Sequence, residues 1–284
     1  MSAIILDGKA LSVQKAVELS ARVVSLAQHG IIPGLAVVLV GDNPASKVYV
    51  KNKKLACAKI GVYSEQHDLP TTATQQELLA LIDSLNENPK IHGILVQLPL
   101  PAHLNEKEVI AAISPAKDVD AFHLENIGGV MRGDARFKPC TPAGVMELLK
   151  SADIAVEGKE CVVIGRSNIV GKPMAMLLLE ANGTVTVCHS KTANLAETCR
   201  RADILVCAIG KAKFVGTEMV KLGAVVIDVG MNRDETGKLC GDVDYDAVAG
   251  VAGYITPVPG GVGPMTISML MNNTVCAAES LLPQ

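Results

Sequence analysis

The chain has 284 residues, 49% of them apolar and 19% charged, with a formal net charge of −3. That length supports two ordinary domains or one large α/β domain, and the composition excludes disorder, a collagen-like repeat and a coiled coil. It lacks the positive charge that nucleic-acid backbones or anionic membranes select, so neither is expected as a partner.

The opening residues, MSAIILDGKA, contain Asp7 and have neither a basic stretch nor a long apolar run, so no secretory signal is expected. No apolar stretch reaches membrane-spanning length. Eight cysteines without a CxxC pair read as buried, reduced thiols of a cytoplasmic protein. Cys188 and His189 are adjacent on a predicted strand and would point to opposite faces, so no metal site is expected. With only 2% aromatic residues and no Trp, the core must be built from Val, Ile, Leu, Ala and Met, which suits strands covered on both faces by helices.

The first predicted strand is 35–40 (LAVVLV), followed by a helix over 43–60 with Asn43 as its N-cap, Pro44 at its first position and Gly61 just past its end. Tyr49 and Lys53 lie four apart and share a face of that helix. By itself the pair means little, because a helix lysine is ordinarily solvated and a tyrosine one turn earlier commonly covers its stem. The strand 93–98 (GILVQL) carries Gln97 in an otherwise apolar run. A buried amide there needs partners, which a structural loop or a functional group would equally provide. KDVDAFH (117–123) then places two acids in an irregular loop.

At PCTPAGVMELLK, Thr141 and Pro142 can cap and open a helix that leads into a second domain. Beyond it, strands at 160–165, 184–188, 203–208 and 224–229 recur about every 20 residues with short helices between, as a compact dinucleotide-binding domain requires. The expected fold is α/β with two domains: a βα substrate domain, 1–140 plus 264–284, and a Rossmann-like cofactor domain, 141–263, with a cleft between them. The segment 264–282 follows Pro264, has apolar positions at helical spacing, and is expected to return to the first domain.

The turn after Ile164 reads Gly165-x-Ser167-x-x-x-Gly171 and opens an apolar helix, the context in which backbone N–H groups hold a pyrophosphate. The pattern is not GxGxxG and is weak as a bare motif. The next strand ends in His189-Ser190-Lys191-Thr192, with no carboxylate to accept from a ribose 2′-hydroxyl. Arg166, Ser190 and Lys191 would instead welcome a 2′-phosphate, so NADP is favoured over NAD, although a solvated loop would also explain Lys191. Gly210-Lys211 and Asp228-Val229-Gly230-Met231 fall at later strand ends, where the nicotinamide ribose and ring should pass. Finally, TPVPGGVGPMT (256–266) is too rich in Gly and Pro for a regular element, and is either a ligand cradle or a connector.

Six segments, YVKNK (49–53), GILVQLPLP (93–101), KDVDAFH, PCTPAG (139–144), GRSNIVGKPM (165–174) and TPVPGGVGPMT, together resemble the bifunctional methylenetetrahydrofolate dehydrogenase/cyclohydrolase (FolD) family in order and spacing, over nearly the whole chain. The resemblance implies NADP-dependent oxidation of 5,10-methylenetetrahydrofolate to 5,10-methenyltetrahydrofolate, then hydrolysis to 10-formyltetrahydrofolate. It implies that Lys53 is the catalytic lysine, that Gln97 bonds near it, that Tyr49 packs on the folate, that Asp120 holds the pterin, and that Gly260 and Gly261 line the folate site. Gly165, Arg166 and Ser167 match the family's NADP loop, with Ser190 and Met231 also carried over to the cofactor. Tetrahydrofolate one-carbon derivatives are the expected partners, and a homodimer the expected assembly.

One departure stands out: Ala121 occupies a position where the family commonly has glycine. If that position needs a positive φ, alanine strains it by about 1 kcal/mol. The hydrolytic step needs a group that accepts and returns a proton, and a lysine can do so only if its pKa falls well below about 10.4. Two other readings stay open on the residues alone: a shikimate-type dehydrogenase of a small hydroxy or keto acid, and a non-enzymatic NADP-sensing domain pair.

Overall fold

The computed structural model describes residues 2–282; Met1 and 283–284, the extreme ends of the expected substrate domain, lie outside the described residues. In chain order the elements begin with β1 (Ile4–Ile5), α1 (Gly8–Gln28), β2 (Gly34–Val40), α2 (Pro44–Ile60), β3 (Tyr63–Leu69), α3 (Gln75–Glu87), β4 (Gly93–Val96), α4 (Glu106–Ala112), α5 (Leu124–Arg132) and α6 (Cys140–Ser151). They continue with β5 (Glu160–Ile164), α7 (Gly171–Glu180), β6 (Thr184–Cys188), α8 (Leu195–Arg200), β7 (Ile204–Cys207), β8 (Val225–Asp228), β9 (Asn232–Arg233), β10 (Leu239–Cys240), α9 (Tyr245–Val248), β11 (Tyr254–Ile255) and α10 (Val262–Glu279). The chain divides into two compact units, Met1–Ser12 with Thr141–Thr266, and Val13–Cys140 with Ile267–Gln284.

The second of these holds a three-stranded parallel sheet in the order β3-β2-β4. Every residue of β2 is buried, as a central strand built only of Gly, Leu, Ala and Val should be. Ala36, Val38, Ile94 and Val96 pack against Leu78, Ile82 and Leu85 of α3, and against Val109 and Ile113. The start of α3 is fixed by a capping box in which Thr74 and Glu77 satisfy each other's backbone N–H groups. α2 follows its local signals: the Asn43 side chain accepts from Ser46 N, Pro44 opens the helix, and Gly61, at φ +84°, closes it. β3 (YSEQHDL) carries no apolar run. It forms through seven backbone partners on β2 and presents charged residues on an edge, which discourages pairing with another chain.

The other unit holds six parallel strands in the order β1-β11-β8-β7-β5-β6. The first residues join this unit because β1 pairs with β11. The chain crosses from β6 back over β5 to reach β7, so the strand order reverses beside β5, and the carboxyl ends of β5 and β7 flank the position where such sheets bind ligands. Val162, Ile164, Leu205, Cys207 and Val226 form the sheet's share of the core on one face. α10 begins at Val262, inside the stretch expected to be irregular. Pro264 falls in its first turn, where a missing N–H costs no hydrogen bond. Among the described residues, no helix is long and apolar enough to cross a membrane.

Candidate active site

Lys53 sits one turn beyond Tyr49 on α2, and its side chain is not solvated: the residue is 8% exposed. Its Nζ donates to Gln97 Oε1 at 3.0 Å. β4 ends at Val96, so Gln97 stands at the carboxyl end of the strand rather than within it. Two bonds hold it there: its backbone N–H donates to Val38 O at 2.8 Å, and its Nε2 donates to Leu98 O at 2.7 Å. With the amide nitrogen engaged, the oxygen faces the amine, so this half-buried amide bonds both to its own loop and to the lysine. Tyr49 is half-buried, and that burial raises its phenol pKa.

The two acids of KDVDAFH have separate work. Asp118 is 2% exposed, and its Oδ2 accepts from His123 N and from Asn126 Nδ2, each at 2.8 Å. It holds the loop's shape. Asp120 keeps part of its surface accessible and acts on Lys53 through charge. Burial lowers the amine's pKa, against the opposing pull of Asp120. Burial likewise raises the Asp120 carboxyl, with Lys53 holding it back. Desolvation therefore moves both groups toward their neutral forms, while their mutual attraction opposes it.

The loop that carries Asp120 turns through Ala121, whose φ is +61° and whose methyl is fully buried. The left-handed conformation that makes glycine common there is thus adopted by an alanine. Cys140, which the sequence offered only as one more buried thiol, lies within reach of the Asp120 carboxylate and donates to Val119 O at 3.3 Å. Asn273 on α10 reinforces the loop by donating to Val119 O at 2.9 Å and Lys138 O at 3.0 Å. The structure thus brings Lys53, Gln97 and Asp120 together, with Tyr49 on the same helix. Gly260 and Gly261 belong to the six-stranded unit, where Gly260, at φ +114°, accepts from Lys9 N.

In that unit, Gly165 follows β5 with φ +125°, and a side chain there would enter Ala208 O; one at Gly171 would enter Gly165 O. The turn therefore packs directly onto the neighbouring strand end. Ser167 Oγ accepts from Val170 N and Gly171 N, each at 3.2 Å, and so caps α7. Its two lone pairs are spent on the helix, which leaves its proton to donate outward. After β6, His189 N donates to Thr192 Oγ1 and Lys191 N donates to His189 Nδ1, which closes a short turn with Ser190 and Lys191 exposed. Arg166 is exposed as well, and no carboxylate interrupts 189–192. These residues fit a ribose 2′-phosphate better than a free 2′-hydroxyl. Met231, after β8, is 45% exposed. Among the described residues, no group of three or more His, Cys, Asp or Glu side chains could hold a metal ion.

Two family models match the chain: "Tetrahydrofolate dehydrogenase/cyclohydrolase, catalytic domain" over residues 6–120, and "Tetrahydrofolate dehydrogenase/cyclohydrolase, NAD(P)-binding domain" over 139–282. The bifunctional protein FolD of Burkholderia multivorans is 60% identical over 279 residues, which cover 98% of each chain. The crystal structure of the FolD methylenetetrahydrofolate dehydrogenase/cyclohydrolase from Campylobacter jejuni superposes with a TM-score of 0.97 at 51% identity, over 99% of this chain and 100% of that one. The Trypanosoma brucei FolD, determined with NADP cofactor and an inhibitor, gives 0.94 at 39% identity, over 99% and 98%. A shikimate dehydrogenase from Peptoclostridium difficile, at 0.50 and 15% identity over 88% and 93%, shares the fold alone.

Proposed function

This chain belongs to the tetrahydrofolate dehydrogenase/cyclohydrolase family, and we propose that the buried amine of Lys53 handles protons for its hydrolytic half while the Gly165 turn serves its oxidative half. The enzyme oxidises 5,10-methylenetetrahydrofolate to 5,10-methenyltetrahydrofolate with NADP, and hydrolyses that product to 10-formyltetrahydrofolate.

When bound, NADP supplies the acceptor for the hydride that leaves the methylene carbon. That step asks no protein acid of the chain, because a folate nitrogen lone pair drives it; the residues orient and exclude water. Gly165, Arg166, Ser167 and Ser190 would hold the phosphate-bearing half, and Met231 the nicotinamide half. Hydrolysis makes a different demand. Water adds to the methenyl carbon, a proton must leave that water, and a proton must reach a folate nitrogen as its bond to carbon breaks. The neutral amine of Lys53 accepts the first and returns the second. Gln97 aims the amine, Asp120 holds the pterin and balances the ammonium when it forms, and Tyr49 covers the folate.

The observation that carries this reading is the 3.0 Å bond from a nearly buried lysine to Gln97, with a carboxylate acting on the same amine. The test is to mix the protein with 5,10-methylenetetrahydrofolate and NADP and follow methenyl absorbance. It should rise together with NADPH and then decay. Turnover of a small hydroxy acid without folate, or cofactor binding without any turnover, would overturn the reading.

Two coarser expectations join it. The six-stranded sheet has two edges, the two-residue β1 and the longer β6 (TVTVC), and β6 has no charged residue to discourage pairing and exposes Val187. Pairing through this edge would make a homodimer, and a Val187→Lys variant should then sediment as a monomer. The eight cysteines are free and seven are buried, as suits the reducing cytoplasm.

A further inference from the structure

Two acids of the six-stranded unit lie in the core with no part in the chemistry above: Asp228, at the end of β8 and 3% exposed, and Asp242, just after β10 and fully buried. Asp242 gathers the turn after β7. Its carboxylate accepts from three consecutive amides, Ile209 N at 2.7 Å, Gly210 N at 3.1 Å and Lys211 N at 2.8 Å, and from Asn232 Nδ2 at 2.9 Å. Gly210, at φ +65°, gives that turn the concave shape in which successive N–H groups converge on an anion. Asp228 in turn holds the base of Asp242, accepting from Asp242 N and Val243 N, and also from Gly230 N in the turn after β8, each at 2.9 Å.

The arrangement is tight on every side. A side chain at Gly230 would enter the Asp242 carboxylate, and one at Gly241 would enter Asp228. The Asp242 segment is itself anchored, because Lys213 N donates to Gly241 O at 3.0 Å and Val215 N to Asp242 O at 2.9 Å. Two buried acids met by amides are a costly way merely to close two turns, since a buried carboxylate forgoes strong hydration. What they accomplish is to fix the turns after two adjacent strands, 209–211 and 230–231, to one another at the carboxyl edge of the sheet.

We propose that Asp242, seated on Asp228, is a positioning residue for the cofactor: it locks the turns after β7 and β8 into the wall that receives the nicotinamide half of NADP. The inference rests on the reading of that sheet edge as the NADP site. In Asp242→Asn, the amide's own N–H group faces backbone donors, so at least one of them loses its acceptor and the 209–211 turn loosens. The KM for NADP should rise about tenfold or more, with kcat changed less than about threefold and the KM for methylenetetrahydrofolate within about twofold of wild type. A folded Asp242→Asn enzyme with wild-type KM for NADP would overturn the proposal, as would an equal rise in both KM values. Should that variant fail to fold, Asn232→Ala removes one donor from a half-exposed position. It should raise the KM for NADP about two- to fivefold, and no change would count equally against the proposal. A wild-type enzyme that does not reduce NADP would overturn the cofactor reading and this inference together.

Discussion

Lys53→Met removes the amine while keeping a side chain of similar length in a site only 8% open to solvent. The substitution takes away the donor to Gln97 Oε1 at 3.0 Å and, with it, the group whose positive charge, once protonated, favours the Asp120 carboxylate. Losing a group that moves protons in the transition state costs roughly a hundredfold to ten-thousandfold in rate, or about 3 to 5 kcal/mol in the barrier. The cyclohydrolase rate, followed as the decay of methenyl absorbance, should fall by that range. NADP binding, measured by calorimetry, should stay within about twofold, because the substitution alters none of the cofactor residues. Stability moves less. An unsatisfied Gln97 oxygen costs about 1–3 kcal/mol, but the variant no longer buries a polar amine. The wild-type amine has a folded pKa below 10.5, so the unfolded chain binds more protons just below that value and stability rises with pH through the window. The variant should lose that rise. Hydrolysis within about threefold of wild type would exclude Lys53 as the group that moves the protons.

Other outcomes follow from single residues. In Ala121→Gly, relief of about 1–2 kcal/mol of left-handed strain is offset by about 0.8 kcal/mol for the lost buried methyl and about 0.5–1 kcal/mol for glycine's greater freedom. Its urea midpoint should therefore shift by no more than about 1 kcal/mol equivalent, whereas Ala121→Val, β-branched at positive φ, should lose more than about 2 kcal/mol and weaken folate binding. Asp228 is pushed up by burial to about 7. The folded protein therefore holds a proton, from about pH 4 up to that value, that the unfolded chain has released, and this group's contribution to stability declines as pH rises across the window. Asp228→Asn should remove that decline from the pH profile of urea unfolding, and an unchanged difference between pH 4 and 7 would contradict it. Ser190→Asp, which restores an acid after β6, should raise the KM for NADP at least about tenfold and lower that for NAD, as read from dehydrogenase kinetics with each cofactor.

The parts of this molecule that were legible in its sequence are those where one physical rule dominates. LAVVLV becomes β2 because a strand covered on both faces needs nothing but apolar residues, and α2 runs from Pro44 to Ile60 because its cap, its proline and the glycine just past its end all agree. β3 was not legible, since an edge strand is specified by its neighbour's backbone more than by its own side chains. At the site, the residue types were visible but their division of labour was not. Lys53 looks like any helix lysine until its neighbours bury it. Asp118 and Asp120 are two letters apart, and only the bonds from His123 N and Asn126 Nδ2 show which of them is already committed. Asp242 lies in GDVDYD, which reads as a polar turn; its complete burial arises from strands far away in sequence.

The proposed hydrolysis depends on the protonation of one amine. With lysines labelled at Nζ and the Lys53 resonance assigned by its loss in Lys53→Met, the nitrogen shift can be followed against pH in the folded enzyme. The midpoint should be displaced below 10.5, toward the pH at which the enzyme works. A midpoint at or above 10.5 would mean an ammonium ion that cannot take a proton from water, and would contradict the proposed hydrolysis.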